Sequence, residues 1–361
     1  MGRRTRRWIL ALLLTGLLPV LPVLPARAET PAQFRAAVTQ IVYADPGTGK
    51  AVPVLLLYPT RDAVQPLRRG PYHLNVAPEG WPALDSMPLV MMTQGPSRNG
   101  LAMVSVALFL ARRGMMTAIV THLGGPEPGA VNNAGNGNTG NGGTGNGGTR
   151  NGGTQPLWAE LPLQLRAALD AVLDSSPMGF RVDQQRIGVL GYAAGAHAAL
   201  AAAGGVADLG RVPQICAAHP ENRTLCPAGA RTTATASPKR LEAAADPRIR
   251  SLLLMDPVGA LFGDGGLSRV TVPVRLYEAE KGDESGALQV ARVRGLLPRP
   301  PEYDLVPGAG HYAFLTPVPP SAAARFGATV KDPPGFDRAA FHARLNDEVL
   351  DYFRRTLNGA P

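Results

Sequence analysis

The segment Gly191-Tyr192-Ala193-Ala194-Gly195 has the spacing of a turn that presents a nucleophile, with alanine at the nucleophile position. In the Gly-x-Ser-x-Gly pattern the serine lies on a sharp strand-to-helix turn, and its small neighbours let the helix approach the strand. Ala193 takes the place of that serine, and a methyl group cannot form an acyl-enzyme. The frame of the turn is therefore present while the reactive oxygen is missing.

A general base and an acid follow in the chain order that serine hydrolases of this kind use. His311 lies in "PGAGHYAF", after the last strand-like segment, where a base would be placed. Asp283 follows "VPVRLYEAEKG" and is the predicted acid, with Glu280 and Glu284 as close competitors. The structural alternatives are an ordinary loop histidine and a solvated acidic loop. The three positions together predict the remains of a nucleophile–base–acid triad.

The elements that position these residues alternate between strand-like and helix-like segments. The first two strands form an expected antiparallel pair with a turn at Pro46-Gly47, and the remainder predict an α/β fold with a mostly parallel sheet covered by helices on both faces. The strand-like segments are AAVTQIVYAD, KAVPVLLLYPT, MPLVMMTQG, MMTAIVTH, RIGVL, RIRSLLLMDP, VPVRLYEAE and PEYDLVPGAGH. The helical segments are GLAMVSVALFLARRG, AELPLQLRAALDAVLDSS, the alanine-rich stretch 193–204 and FDRAAFHARLNDEVLDYFRRTL.

Residues 1–28 have the features of a secretory signal peptide. They combine a basic start, an apolar stretch over residues 8–24 and a small-x-small cleavage site at residues 26–28. The apolar stretch is short and broken by prolines, which disfavours a membrane anchor. The sequence therefore predicts an exported protein, periplasmic or secreted, and TRRWIL resembles a twin-arginine signal.

The charge of the mature chain gives no indication of nucleic-acid binding. Of the 36 basic residues, five lie in residues 1–28. The remainder of the chain therefore has 31 basic and 27 acidic residues, a net charge of +4. No basic stripe with interleaved aromatic residues is visible. The apolar content of 45% suits one large domain over residues 29–361.

Two segments interrupt the alternation of strands and helices. Residues 125–156 contain Asn-Gly-Gly-Thr at positions 141, 146 and 151, which predicts a flexible surface insert rather than a binding loop.

Residues 206–247 separate the helix after the turn from the next strand and are interpreted as a small cap or lid. Cys216 and Cys226 lie in this segment, and two cysteines in an exported chain predict one disulfide. A Cys-x-x-His metal site with His219 is the alternative, although it lacks a clear fourth ligand.

The stretches GKAVPVLLLYPT, GPYHLNVAPEGWPA, RIGVLGYAAGAHAAL and RPPEYDLVPGAGHYAFL resemble the group of α/β-hydrolases known as predicted dienelactone hydrolases. The resemblance covers most of residues 35–356, apart from the Gly/Asn-rich insert. It implies an α/β-hydrolase fold, a nucleophile position at Ala193, a base at His311 and an acid at Asp283. Paired cysteines between the turn and the next strand are also similar to this group.

The chain departs from the group at the residues that stabilise an oxyanion. The group carries His-Gly after its third strand, and this chain has Gln94-Gly95. The next residue normally donates an oxyanion-hole N–H, but Pro96 has none. Ala194 remains as the donor position. A Ser→Ala change engineered as a substrate trap would not require the proline, so the two departures together indicate drift away from hydrolysis.

Three functions fit these residues. The first is a pseudoenzyme that binds a small apolar or ester-like ligand, or a protein partner, without a cofactor or metal. The second is an active hydrolase in which His311 and Asp283 activate water, or in which Thr93 or Ser97 replaces the lost serine. The third is an envelope interaction protein that uses the Gly/Asn-rich segment as its contact.

Overall fold

The computed structural model describes residues 32–95, 100–122, 155–220, 222, 225–226, 240–241, 244–282 and 289–358. The predicted signal peptide, Pro96 and Ser97 lie outside the described residues, as do Asp283, Glu284 and nearly all of the Gly/Asn-rich insert. No helix within these ranges is long and apolar enough to cross a lipid bilayer.

The described part of the chain is built around a sheet of ten strands in the order β12-β11-β10-β7-β5-β6-β2-β1-β4-β3. The pairs from β12 to β6 are parallel, whereas β2 runs antiparallel to both β6 and β1. The strands of this sheet are β1 Arg35–Ala44, β2 Ala51–Thr60, β3 Gln65–Arg69, β4 Tyr72–Pro78, β5 Met87–Gln94, β6 Met116–Val120, β7 Val182–Tyr192, β10 Ile249–Met255, β11 Val274–Lys281 and β12 Glu302–Gly310. Two short strands, β8 Ala207–Asp208 and β9 Arg240–Leu241, pair separately.

Helices cover both faces of the sheet and divide the core into two parts. One part lies between the sheet and α2 and α3, and the other lies between the sheet and α1 and α7. The helices are α1 Val104–Ala111, α2 Gln155–Asp170, α3 Ala194–Ala202, α4 Val212–Ala218, α5 Val290–Leu296, α6 Pro320–Ala323 and α7 Arg338–Leu357. The predicted α/β architecture with a mostly parallel, covered sheet is confirmed.

The central strands form because their apolar runs are buried on both sides. All eight residues of β5 are buried, and so are all five residues of β6. A run of that kind suits a parallel strand, which has helices against both of its faces. The carboxyl ends of these parallel strands meet at one edge of the sheet, and the turn that contains Ala193 follows β7 at that edge.

The β3–β4 hairpin was not among the predicted strands. The first five residues of β4 alternate between buried and exposed positions, with Tyr72, Leu74 and Val76 buried. This is the period-two pattern of a strand with one covered face. The hairpin extends the sheet on the side away from Ala193.

The segment 206–247, interpreted from sequence as a cap, attaches beside the C-terminal end of α3. The N–H of Val206 donates to the carbonyl of Gly266 at 2.7 Å, and the N–H of Asp246 donates to that of Ala202 at 2.8 Å. Cys216 and Cys226 form a disulfide in this segment. The predicted disulfide is thus confirmed, while the role of the segment as a cap stays a prediction.

Candidate active site

The turn between β7 and α3 places Ala193 in a strained backbone conformation. Its φ of 50° and ψ of −116° lie in a region that residues with a Cβ atom rarely adopt. The Ala193 N–H donates to the carbonyl of Met255, at the end of β10, at 3.0 Å. The Ala193 carbonyl accepts from the N–H of Ala196 at 3.0 Å and so starts α3. This is the geometry of a nucleophile elbow with alanine at its tip.

The glycines on either side of Ala193 are required by close packing. A Cβ atom on Gly195 would lie 2.1 Å from the carbonyl oxygen of Thr93 in β5. A Cβ atom on Gly191 would lie 2.6 Å from the Cα atom of Ala196. Both distances are too short for any side chain, so the turn needs glycine at both positions. The pattern found in the sequence therefore has a steric cause.

His311 is placed by the turn that follows β12 and is paired with a carboxylate. Its Nδ1 lies 2.5 Å from Oδ2 of Asp256, the residue directly after β10. Because an ionised carboxylate only accepts hydrogen bonds, the proton of this pair is on Nδ1, and Nε2 is the nitrogen that can take a proton. Both side chains are mostly buried, with 18% and 12% exposed. The pair has the arrangement of a general base with its orienting acid.

Asp256 is itself held by the neighbouring strand. Its N–H donates to the carbonyl of Tyr277 at 2.9 Å, and its Oδ1 accepts from the N–H of Ala279 at 3.3 Å. Its φ is 49°, a second strained residue at the same edge of the sheet. These contacts fix the carboxylate toward His311.

The carboxylate on His311 is not one of the three that the sequence analysis named. Asp283 and Glu284 lie outside the described residues, and Glu280 accepts from the N–H of Gly308 at 2.7 Å on an exposed part of β11. Among the described residues it is Asp256, one strand earlier, that contacts His311, and the role of Asp283 stays a prediction. The signal was present, because RIRSLLLMDP contains an acidic residue, Asp256, directly after a buried strand.

Several contacts bring the elbow and the histidine together. The ring of Tyr192, next to Ala193, lies 5.1 Å from the His311 ring between centroids, and its hydroxyl donates to the His311 carbonyl at 3.1 Å. Nε2 of His342 in α7 lies 2.9 Å from the carbonyl of Ala313. Burial lowers the pKa of His342 to about 4, so this histidine is neutral and holds the turn after His311.

The residues assigned to the oxyanion hole are described only in part. Ala194 is the first residue of α3, and the N–H groups of a first helical turn have no acceptor within the helix. Pro96 lies outside the described residues. Of the two alternative nucleophiles, Ser97 lies outside as well, and Thr93 is fully buried with its hydroxyl bonded to His122.

The metal site considered for the cysteine segment is excluded by the disulfide. Cys216 and Cys226 are bonded to each other, so neither sulfur is a thiolate that could bind a metal together with His219. Across the described ranges, no group of three His, Cys, Asp or Glu side chains is placed to hold a metal ion.

Comparison with solved structures identifies the fold. The chain is similar to a ferulic acid esterase from Streptomyces cinnamoneus, with a TM-score of 0.60 over 93% of this chain and 94% of that one, at 19% sequence identity. This protein has an α/β-hydrolase fold. No protein-family model matches the chain. No curated protein matches it either.

The described residues of this α/β-hydrolase fold include an elbow at Ala193 and a hydrogen-bonded pair of His311 and Asp256. His311 and Asp256 can remove a proton from a group placed near Nε2. Ala193 offers no proton and no nucleophilic oxygen. Residue 193 therefore cannot accept an acyl group.

Proposed function

We propose that this protein is an exported relative of the dienelactone hydrolases that has lost acyl-enzyme chemistry and binds a small ester-like or apolar ligand at its elbow. The observation that carries the proposal is Ala193. It occupies a strained elbow, between two sterically required glycines, beside a paired His311 and Asp256. The frame that positions a nucleophile is complete, and only the hydroxyl is missing.

The packing of the elbow explains how it persists without catalysis. The Ala193 N–H bonds to β10, and Gly195 lies against β5, so the turn joins α3 to two central strands. Loss of the serine oxygen leaves these contacts in place. Export is supported by the signal-like residues 1–28 and by the disulfide, because disulfides persist in oxidising compartments.

Ester hydrolysis by three forms of the mature protein tests this proposal. The forms are the unmodified chain, Ala193→Ser and Ala193→Ser with His311→Ala. The substrates are p-nitrophenyl butyrate and, because the structural neighbour is named a ferulic acid esterase, ethyl ferulate. We expect no turnover by the unmodified chain, measurable turnover by the serine variant, and loss of that turnover when His311 is removed.

Binding is measured separately on the unmodified chain by calorimetry with ethyl ferulate and ethyl butyrate. Saturable binding that weakens in an Ala193→Trp variant, whose side chain fills the elbow, supports a ligand site there. The proposal is wrong if the unmodified chain hydrolyses either ester at a rate that His311→Ala abolishes.

The His311–Asp256 pair favours a second function, in which His311 activates water directly. A base held by an acid at 2.5 Å has the features of a working general base. In this case the unmodified chain turns esters over, Asp256→Asn and His311→Ala both stop it, and a fluorophosphonate probe labels nothing. A labelled residue would instead indicate another nucleophile.

A further inference from the structure

A second histidine lies in a buried chain of polar side chains beneath the elbow. The chain runs from Thr93 at the end of β5, through His122 after β6 and Gln164 in α2, to Asp45 in the turn after β1. All four are buried, with 0%, 7%, 1% and 2% exposed. Neither the candidate site nor the proposed function uses His122, Gln164 or Asp45.

The four side chains are joined by three hydrogen bonds of ordinary length. Thr93 Oγ1 lies 2.7 Å from His122 Nε2, His122 Nδ1 lies 2.9 Å from Gln164 Oε1, and Gln164 Nε2 donates to Asp45 Oδ2 at 2.8 Å. The other carboxylate oxygen of Asp45 accepts from the Thr48 hydroxyl at 2.5 Å. The chain links four separate elements.

The direction of every hydrogen bond is fixed by Asp45. A carboxylate only accepts, so the amide nitrogen of Gln164 faces it, and the amide oxygen faces His122. That oxygen can only accept, so the proton of His122 is on Nδ1. Nε2 of the neutral ring then accepts, and the Thr93 hydroxyl donates to it. Burial lowers the pKa of His122 to about 4 and keeps the ring neutral.

Thr93 is the residue of β5 on which the elbow rests. Its carbonyl oxygen is the atom that excludes a side chain at Gly195, and in the sheet it is paired with Gly191 of β7. Gly95, two residues further along the chain, also packs tightly against the elbow. A Cβ atom on Gly95 would lie only 3.0 Å from the Cβ atom of Ala194. A shift of Thr93 would therefore move the elbow and Gly95 with it.

We propose that His122 is a positioning residue for the elbow site, which acts by holding the Thr93 hydroxyl and thereby the end of β5 under Gly195. Asp45 and Gln164 serve to select the tautomer of His122 that accepts from Thr93. The effect on the site rests on the proposed function, because it is measured through the activity that Ala193→Ser is expected to gain. The effect on the elbow backbone is measured independently.

The activity test uses Ala193→Ser as the parent enzyme and p-nitrophenyl butyrate as substrate. Thr93→Val removes the hydroxyl at nearly constant volume, and Thr93→Ser keeps it. Thr117→Val is the matched control, because Thr117 is also a fully buried strand threonine, bonded to the Leu57 carbonyl at 3.3 Å. We expect Thr93→Val to lower kcat at least about tenfold, as misplacement of reacting groups does. KM should change little, and Thr93→Ser and Thr117→Val should retain kcat.

A double-mutant cycle tests whether the chain acts as a unit. Thr93 and Gln164 are joined through His122, so Gln164→Met should lower kcat as Thr93→Val does, and the two together should cost no more than one alone. Additive losses would indicate two unrelated packing defects. Additive losses, or an unchanged kcat in Thr93→Val, would overturn the proposal.

Hydrogen exchange in the otherwise unmodified chain separates this proposal from the proposed function. Thr93→Val should speed exchange of the Ala193 N–H, which is bonded to Met255, relative to the N–H of Leu253 in the middle of β10. Thr117→Val should not. If Ala193→Ser proves inactive, the proposed function fails. The positioning role of His122 is then tested by the exchange rate of the Ala193 N–H alone. Equal exchange in Thr93→Val and the unmodified chain would then overturn the role of His122.

Discussion

Ala193 adopts a backbone conformation that alanine reaches only against a steric cost. Strained φ/ψ values of this kind cost about 1–3 kcal/mol each and persist when the surroundings impose them. Here the surroundings are the hydrogen bond to Met255 and the contact of Gly195 with Thr93. The conformation is imposed by the elbow, so alanine and serine carry the same strain at its tip, because each has a Cβ atom.

Replacement of Ala193 by glycine should therefore stabilise the protein. Glycine relieves the strain but also gains freedom in the unfolded chain, worth about 0.4–1 kcal/mol. The net expectation is a rise of about 1 kcal/mol in the free energy of unfolding, measured by urea denaturation. Ala198→Gly in the interior of α3 is the control and should lower stability by a similar amount. Equal losses at both positions would show that Ala193 is not strained.

A serine at position 193 should reveal how much the missing N–H of Pro96 lowers the rate of ester hydrolysis. Ala193→Ser supplies the nucleophile, but a proline has no N–H to donate to an oxyanion. Adding Pro96→Ala or Pro96→Gly should raise kcat by about 10²-fold, the usual worth of one such donor. Initial rates of p-nitrophenyl butyrate hydrolysis measure this. If both double variants match Ala193→Ser, the N–H of residue 96 does not face the oxyanion.

At the scale of elements, α3 lies close against β5 because two glycines allow it. The carboxyl ends of β5, β7, β10 and β12 bring Thr93, Ala193, Asp256 and His311 to one edge of the sheet. Ala193, Asp256 and His311 each directly follow the last residue of a strand, and Thr93 is the second-last residue of β5. The sheet therefore sets the geometry, and the loops carry the chemistry.

Two helical glycines offer a direct test of this packing. Gly195→Ala would place a Cβ atom 2.1 Å from the Thr93 carbonyl, whereas Gly295 in α5 has open space around it. We expect Gly195→Ala to destabilise the protein by several kcal/mol, as overpacking against backbone does. Gly295→Ala should stabilise it by about 0.5–1 kcal/mol. Thermal unfolding of both variants is the measurement, and a tolerated Gly195→Ala would contradict the described contact.

Across the whole molecule, three histidines are buried and neutral. Burial is the main cause that lowers the pKa values of His122, His197 and His342 to about 4. His122 is bonded to Thr93, beneath the elbow, and His342 is bonded to Ala313, in the turn after His311. His197 joins α3 to α2 through its Nε2, which lies 3.2 Å from the Trp158 carbonyl.

Acid should therefore destabilise the fold before its carboxylates are protonated. An unfolded histidine has a pKa of about 6.5, so between pH 6.5 and 4 the unfolded chain binds more protons than the folded one. The free energy of unfolding should be independent of these groups above pH 6.5 and fall with pH below it, with uptake of about three protons near pH 5. Urea denaturation from pH 4.5 to 8 measures the slope.

Single substitutions show which histidines cause this pH dependence of stability. His342→Gln should reduce the proton uptake by about one, whereas replacement of the exposed His73 by Asn should leave it unchanged. A slope that His342→Gln does not alter would mean that this ring is already charged in the folded protein.

Patterns of apolar residues predicted most of the sheet, because a buried strand leaves a run that is visible in the sequence. The elbow was also predictable, since its two glycines have a local steric cause. The acid was not, because RIRSLLLMDP and VPVRLYEAEKG both carry acidic residues close to their C-terminal ends. Only the register of β10 with β7 and β11 decides which carboxylate reaches His311. Likewise, the hydrogen bond between His122 and Gln164 joins residues that are distant in the sequence, so no local sequence pattern predicts it.

The retained strain at Ala193 has a consequence for how this chain could change. Every alanine codon is one base from a serine codon, and the backbone at this position already has the conformation that a nucleophile needs. A selection for ester hydrolysis among random point mutants should therefore return codon 193 before any other. The same substitution should leave the fold unchanged, because the elbow is formed by backbone hydrogen bonds of Ala193 and by the close packing of Gly191 and Gly195.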